Sequence, residues 1–216
     1  MRAVDGPPVP ALRTPRAAAV AGVVSALLLG ADMVMIRVAI PTDPAGDLSW
    51  AIDPSNRNTL QVALGLVPFA GIFFLWFMGA VRDYFGAGED KFFATLFLGA
   101  GLLFVAMMFV LSAEVTSGLD ASADAAQQSS RLQFVLTLLS SYCTRMAAVF
   151  TMAATSIGSG LGIFPRWLVW LGYLVAVVLL LLNMPWFELI FPVWIVALSS
   201  YIFLATPHRQ AQTSVS

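Results

Sequence analysis

An all-α fold, a polytopic bundle of about six membrane-spanning helices, follows from three observations on the sequence. Hydrophobic residues fill 59% of the 216 positions, whereas Asp, Glu, Lys and Arg fill only 11%, against roughly a quarter in an ordinary soluble domain. The mean hydropathy is +0.86. The apolar residues are gathered into six runs, each near the length of about 20 residues that crosses a hydrocarbon core of about 30 Å. A water-soluble globule is thereby excluded. The nearly balanced charge, formally -1 with a pI near 5.7, also argues against nucleic acid as a partner, which would call for clustered Lys and Arg. The expected division is a Pro- and Arg-bearing leader over 1–16, a membrane domain over 17–206 and a tail over 207–216.

The first run, Ala17 to Ile40, follows the leader MRAVDGPPVPALRTPRA, whose Arg2, Arg13 and Arg16 are held on the cytoplasmic side. A retained anchor is favoured over a cleaved signal peptide, because the segment is long and lacks a clear small-x-small site before Asp32. Ala18, Gly22, Ala26 and Gly30 recur every fourth residue, a strip of small side chains that lets another backbone approach closely. Another helix of this chain is the first candidate to cover it; a second copy or a different subunit stays open. The second run, Leu60 to Val81, contains Pro68, which frees the carbonyl of Leu64. The loop before it, Pro41 to Thr59, carries Trp50 and three prolines and would lie on the membrane as a lid. The third run is Phe92 to Ala113, and the acidic loop Glu114 to Ser130 after it is expected to be mobile. The fourth is Leu132 to Ser156. The fifth and sixth, Trp167 to Met184 and Trp186 to Ala205, almost touch. Asn183, Met184 and Pro185 separate them, as a tight turn between antiparallel helices or, less favourably, as a bend in one long helix.

Six spans place both termini on one side. Arg2, Arg13, Arg16, Arg82, Lys91, Arg166 and Arg209 then share that side, and Arg57 and Arg131 lie opposite. Seven basic residues against two predict cytoplasmic termini in the cell (inner or plasma) membrane. Trp50 and Trp186 would mark the outer boundary, and Trp76, Trp167 and Trp170 the inner one.

Of the 11 basic and 12 acidic residues, only Asp32, Arg37, Arg145 and Glu188 fall inside the spans. Arg145 sits near a helix-four face formed by Thr137, Ser141, Thr144, Ala148, Thr151 and Thr155, spaced alternately four and three apart. Those hydroxyls either bond back to helix carbonyls or line a polar pathway. A guanidinium at mid-span costs at least about 2.5 to 3.5 kcal/mol and stays charged, so Arg145 needs a partner. Asp32 is nearest in depth, with a mismatch of about 7 Å that a long side chain can bridge. The pair is then either a structural ion pair or an anchor for an anionic head group, with Ser141 and Thr144 beside it. Arg37 is expected at the outer interface. Glu188 would meet it there, or simply complement the dipole at the start of helix six. Pro68, Pro192, Arg37 and the acids all fall in the outer half, which predicts an outward-facing cavity.

The inner loop reads Gly79-Ala-Val-Arg-Asp83-Tyr-Phe-Gly86, which resembles the GxxxDxxG core of the loop motif of major facilitator transporters. The basic pair that should follow is replaced by Ala87 and Gly88, and the chain has half the spans such transporters use. An ordinary tight turn is therefore favoured here. FPRWLVWLGY from Phe164 and FPVWIVALSS from Phe191 resemble segments of uncharacterised bacterial six-helix integral membrane proteins, a family that implies the fold and no activity. In size and in its small-residue first helix the chain is also similar to the substrate-binding components of energy-coupling vitamin transporters. One Cys (Cys143) and one His (His208) leave little for redox or metal chemistry, so neither cofactor nor metal is expected.

Three functional readings compete. The first is a binder or carrier of a small anionic or lipid-like ligand in a polar cavity around Arg145. The second is an accessory subunit of a larger membrane complex, which includes a homo-oligomer. An enzyme is the least supported, since Asp32, Glu188 and Arg145 lack an evident nucleophile.

Overall fold

The computed structural model describes residues 15–39, 53–88, 90–120, 125–182 and 186–213. They form six α-helices: α1 (Pro15–Ala39), α2 (Pro54–Phe85), α3 (Lys91–Asp120), α4 (Ala125–Gly160), α5 (Arg166–Leu181) and α6 (Ile190–Thr213). Short 3-10 turns occupy Gly86–Gly88 and Phe187–Leu189, and no strand occurs among the described residues. Every helix but α5 contains a stretch long and apolar enough to cross a membrane. With 16 residues, α5 is about 24 Å long.

Several helices outrun their apolar runs. Pro54 to Thr59, expected in a lid loop, is the start of α2, where the Asp53 side chain accepts from Ser55 N at 2.9 Å and Pro54 takes the first turn. The rest of that loop, with Trp50, lies outside the described residues. The loop expected over Glu114 to Ser130 is helical on both sides of 121–124, because α3 continues to Asp120 and α4 begins at Ala125. The inner loop shortens likewise: Gly79 to Phe85 completes α2, and the chain turns at Gly86, whose φ of +74° suits glycine. Hydropathy marks where lipid would be, whereas backbone hydrogen bonding continues through polar residues with adequate helix propensity. The leader over 1–14 and the residues 183–185 also lie outside the described residues.

The helices stand in a closed ring. Each packs against its neighbours in sequence, and α1 closes the circle on α6. Tyr201 Oη donates to the Ile163 carbonyl at 2.7 Å, and the Ser156 and Tyr173 hydroxyls meet at 3.1 Å. The later turns of α6 thus lie beside the α4–α5 turn, and α5 runs back along α4. The short α5 therefore connects the end of the ring near the termini, here called proximal, with the opposite, distal end. This is an up-and-down bundle in which each of the six apolar runs contributes one α-helix.

The ring is filled with aromatic side chains. Phe150 of α4 stacks on Phe97 of α3, with centroids 4.7 Å apart, and meets Phe74 of α2 at 5.1 Å. Phe104 bridges Phe74 and Phe191, each at 5.1 Å. Towards the proximal end the column continues through Phe85 and Phe164 to Tyr201. At the distal end, Ala39, Leu60 and Val115 form a smaller apolar plug.

The small-residue strip of α1 is used inside the chain. Gly22 lies where a side chain would overlap the Ser199 hydroxyl of α6 and come within 2.6 Å of the Phe77 ring of α2. Ala26 is buried, and a Cβ at Gly30 would stand 3.9 Å from Pro192. Ala18 lies within α1, but its side chain is outside the described residues. Close approach of backbones lets dispersion contacts accumulate where water exclusion contributes nothing between helices in lipid. A similar approach joins α5 to α4, where Gly172 faces Thr155.

Candidate functional site

At the distal end, Arg37 Nη2 donates to Glu188 Oε1 at 2.9 Å, and Ser140 Oγ donates to the same oxygen at 3.2 Å. One carboxylate thus ties α1, α4 and the turn before α6. Their positions follow from sequence: Arg37 is in the last turn of α1 and Glu188 in the turn that opens α6. Side-chain exposures of 27% and 20% leave the pair partly hydrated, so its worth is modest. A double-mutant cycle of Arg37→Met and Glu188→Gln should give a coupling of about 1 kcal/mol, smaller at high salt, when unfolding is followed in bicelles. Ser140 escaped the sequence reading, which favoured its neighbour Ser141. The only signal is its place about two turns into the apolar run that begins at Leu132, at the depth of Glu188.

Asp32 has the opposite environment. It is 3% exposed, and its Oδ1 has no hydrogen-bond partner among the described residues. The hydroxyls of Ser25 and Ser199 and the indole Nε1 of Trp194 are buried and unpartnered in the same way. Ser25 and Asp32 lie seven residues apart on one side of α1. Asp32 is two residues, about 200° around the helix, from Gly30, which approaches Pro192 of α6, so it faces away from that helix. The bundle is thus tightly packed and polar at isolated points.

The pairing expected between Asp32 and Arg145 does not occur. Asp32 points into the bundle, whereas Arg145 is exposed on the outside of α4, with no ion pair or hydrogen bond among the described residues. Counting residues fixes depth but not azimuth. Ser141, Thr144, Thr151 and Thr155 are the buried side of α4, and Arg145 stands about a quarter-turn from its centre, at about 100° per residue. The large aromatic side chains on the inner side leave it nowhere to turn. Thr144 and Thr151 donate to the carbonyls of Ser140 and Ala147 at 3.0 and 2.9 Å, the back-bonding alternative. Thr137 is exposed and also makes an interaction.

The cavity expected around Arg145 is corrected with it. Pro68 is on the exposed side of α2, and Pro192 is buried beside Gly30, so the two kinks do not open onto a shared space. A groove of about 460 Å³ does exist between the proximal halves of α1 and α6, lined by Val20, Val23, Phe203, Leu204 and the two serines 199 and 200. It is almost entirely apolar. No group of three or more His, Cys, Asp or Glu side chains suited to a metal ion occurs among the described residues.

Arg145 shares its exposed side with Leu138, Tyr142 and Met152, spaced four, three and seven residues apart. That is the spacing of a seam that packs against a neighbouring helix at a shallow angle. The candidate site is therefore this outer face of α4, not the interior of the ring.

Apolar helices arranged as a ring with an apolar exterior define a multi-pass helical membrane protein in contact with the lipid bilayer. No protein-family model matches the chain, and searches of curated proteins and of solved structures likewise find no match.

Proposed function

We propose that this chain is a non-catalytic subunit of a larger membrane complex, held to a neighbour through the outer face of α4. The observation that carries this reading is Arg145, exposed near the middle of the α4 span Phe134–Gly160. A charge facing lipid there costs at least about 2.5 to 3.5 kcal/mol. A partner that hydrogen-bonds the guanidinium removes most of that cost, and assembly then becomes the favoured state. The chief rival, a carrier of an anionic ligand, needs Arg145 to share a chamber with Asp32, Ser141 and Thr144, whereas those three side chains are buried and Arg145 is exposed on the outside. The bias of basic residues supports cytoplasmic termini in the inner or plasma membrane.

The test is gentle extraction from the native host, followed by mass measurement of the intact particle and sequencing of its components. A stoichiometric second chain is expected. Recovery of this chain alone, or with one anionic lipid or metabolite per copy, overturns the proposal and favours the carrier.

A further inference from the structure

The partner's chemistry can be read from the same face. We infer that the α4 surface around Arg145 docks a transmembrane helix of a different chain that carries an Asp or Glu at the depth of Arg145; this rests on the subunit reading above.

Three occupants compete for Arg145, and the structure separates them. A second copy of this chain has four carboxylates within its described spans. Asp32 is 3% exposed inside the ring, and Glu188 is committed to Arg37 and Ser140. Asp83 and Glu114 lie only two and three residues from the span ends Phe85 and Ser117, far from the depth of Arg145. A symmetric pair through α4 would also bring two uncompensated guanidinium groups together. Lipid phosphate is the second candidate. Arg145 lies eleven residues from Phe134 and fifteen from Gly160 in the α4 span, about 16 and 22 Å along the axis. An arginine side chain reaches about 7 Å, so it stops well short of either headgroup layer. A carboxylate on a neighbouring helix is the third, and it alone meets the charge at the right depth, in the bidentate geometry that guanidinium favours. Leu138, Tyr142 and Met152 are exposed on the same side and give that helix an apolar seam above and below the ion pair.

The test places a photoreactive amino acid at Tyr142 or Met152 in the full chain and irradiates native host membranes, with the adducts identified by peptide sequencing. The expected adduct is an apolar segment of another membrane protein with Asp or Glu within about one helical turn of the attachment point. Arg145→Leu should lower its yield at least about fivefold, Arg145→Lys should keep most of it, and neutralising the partner's carboxylate alongside Arg145→Leu should restore it. Native-like unfolding of Arg145→Leu in bicelles shows that a lost adduct reflects docking. Adducts only with lipid, or no adduct at all, overturn the subunit reading and this inference together. An adduct with a second copy overturns the hetero-partner. An adduct with another chain lacking a carboxylate at that depth, or a yield indifferent to Arg145→Leu, overturns the carboxylate alone and leaves the subunit reading standing.

Discussion

Gly22→Val is expected to separate α1 from the rest of the ring, with a loss of stability of more than about 3 kcal/mol. Even the first carbon of a new side chain meets the Ser199 hydroxyl and, at 2.6 and 2.9 Å, two atoms of the Phe77 ring. Neither can yield. Ser199 has a short side chain on a helix fixed by Trp194 and Ile195, and Phe77 is 0% exposed within the core. The helices must therefore move apart, and dispersion contacts are lost along the whole α1 seam, including those of Ala26 and Gly30. Gly22→Ala should cost less, about 1 to 3 kcal/mol. Gly65→Ala supplies the control: nothing lies within 4 Å of its missing Cβ, so only the small helix-propensity gain of alanine remains. Unfolding in bicelles followed by steric trapping reads all three. Ser199→Gly combined with Gly22→Ala should recover part of the loss, because it removes the nearer obstruction and leaves Phe77. Equal stability of Gly22→Val and wild type would show that the strip does not face α6.

The residues of this seam show what a linear reading can reach. Gly22, Ala26 and Gly30 are legible because a helix repeats every 3.6 residues, so small side chains at intervals of four must share a face whatever covers it. Which helix covers them is not legible, since every apolar run offers the same kind of surface. Depth alone brings Arg37 and Glu188 to one end, and at a helix end depth is nearly enough: both side chains are within reach of the same interface. Arg145 and Asp32 also match in depth, and there depth fails. At mid-span a partner must share azimuth as well, and the orientation of α4 is set by Phe150 and the buried threonines, which must face inward. Ser140 is a related case, since a one-residue step turns a side chain by about 100° and decides between Glu188 and the core. The helix ends are illegible for another reason: hydropathy reports the solvent around a segment, and α4 is already helical through Gln127, Gln128 and Ser129 before its apolar run begins at Leu132.

Phe150→Ala should be the most damaging truncation in the interior. Its ring stacks on Phe97 at 4.7 Å and touches Phe74, Phe191 and Trp194, with centroids between 5.1 and 6.4 Å. In a soluble protein this change removes both the transfer energy of the ring and the contacts around the cavity, about 3 to 5 kcal/mol together. In a bilayer the transfer contribution shrinks, because the unfolded helix still lies in an apolar solvent. The cavity contribution remains. At about 24 cal/mol per Å³, over roughly 100 Å³ of deleted ring, it is about 2.4 kcal/mol. Phe150→Leu refills much of the space and should cost less than about 1.5 kcal/mol. An apolar void of this size also binds small apolar guests, so benzene or xenon should return part of the stability to Phe150→Ala and none to Phe150→Leu. Truncating Phe134, which is 68% exposed on α4, removes a comparable ring without leaving a cavity and should change stability by less than about 0.5 kcal/mol. If Phe150→Ala were no worse than Phe134→Ala, the ring interior would have to be a solvated chamber, and the case for placing the candidate site on the outer face of α4 would lose its main structural support.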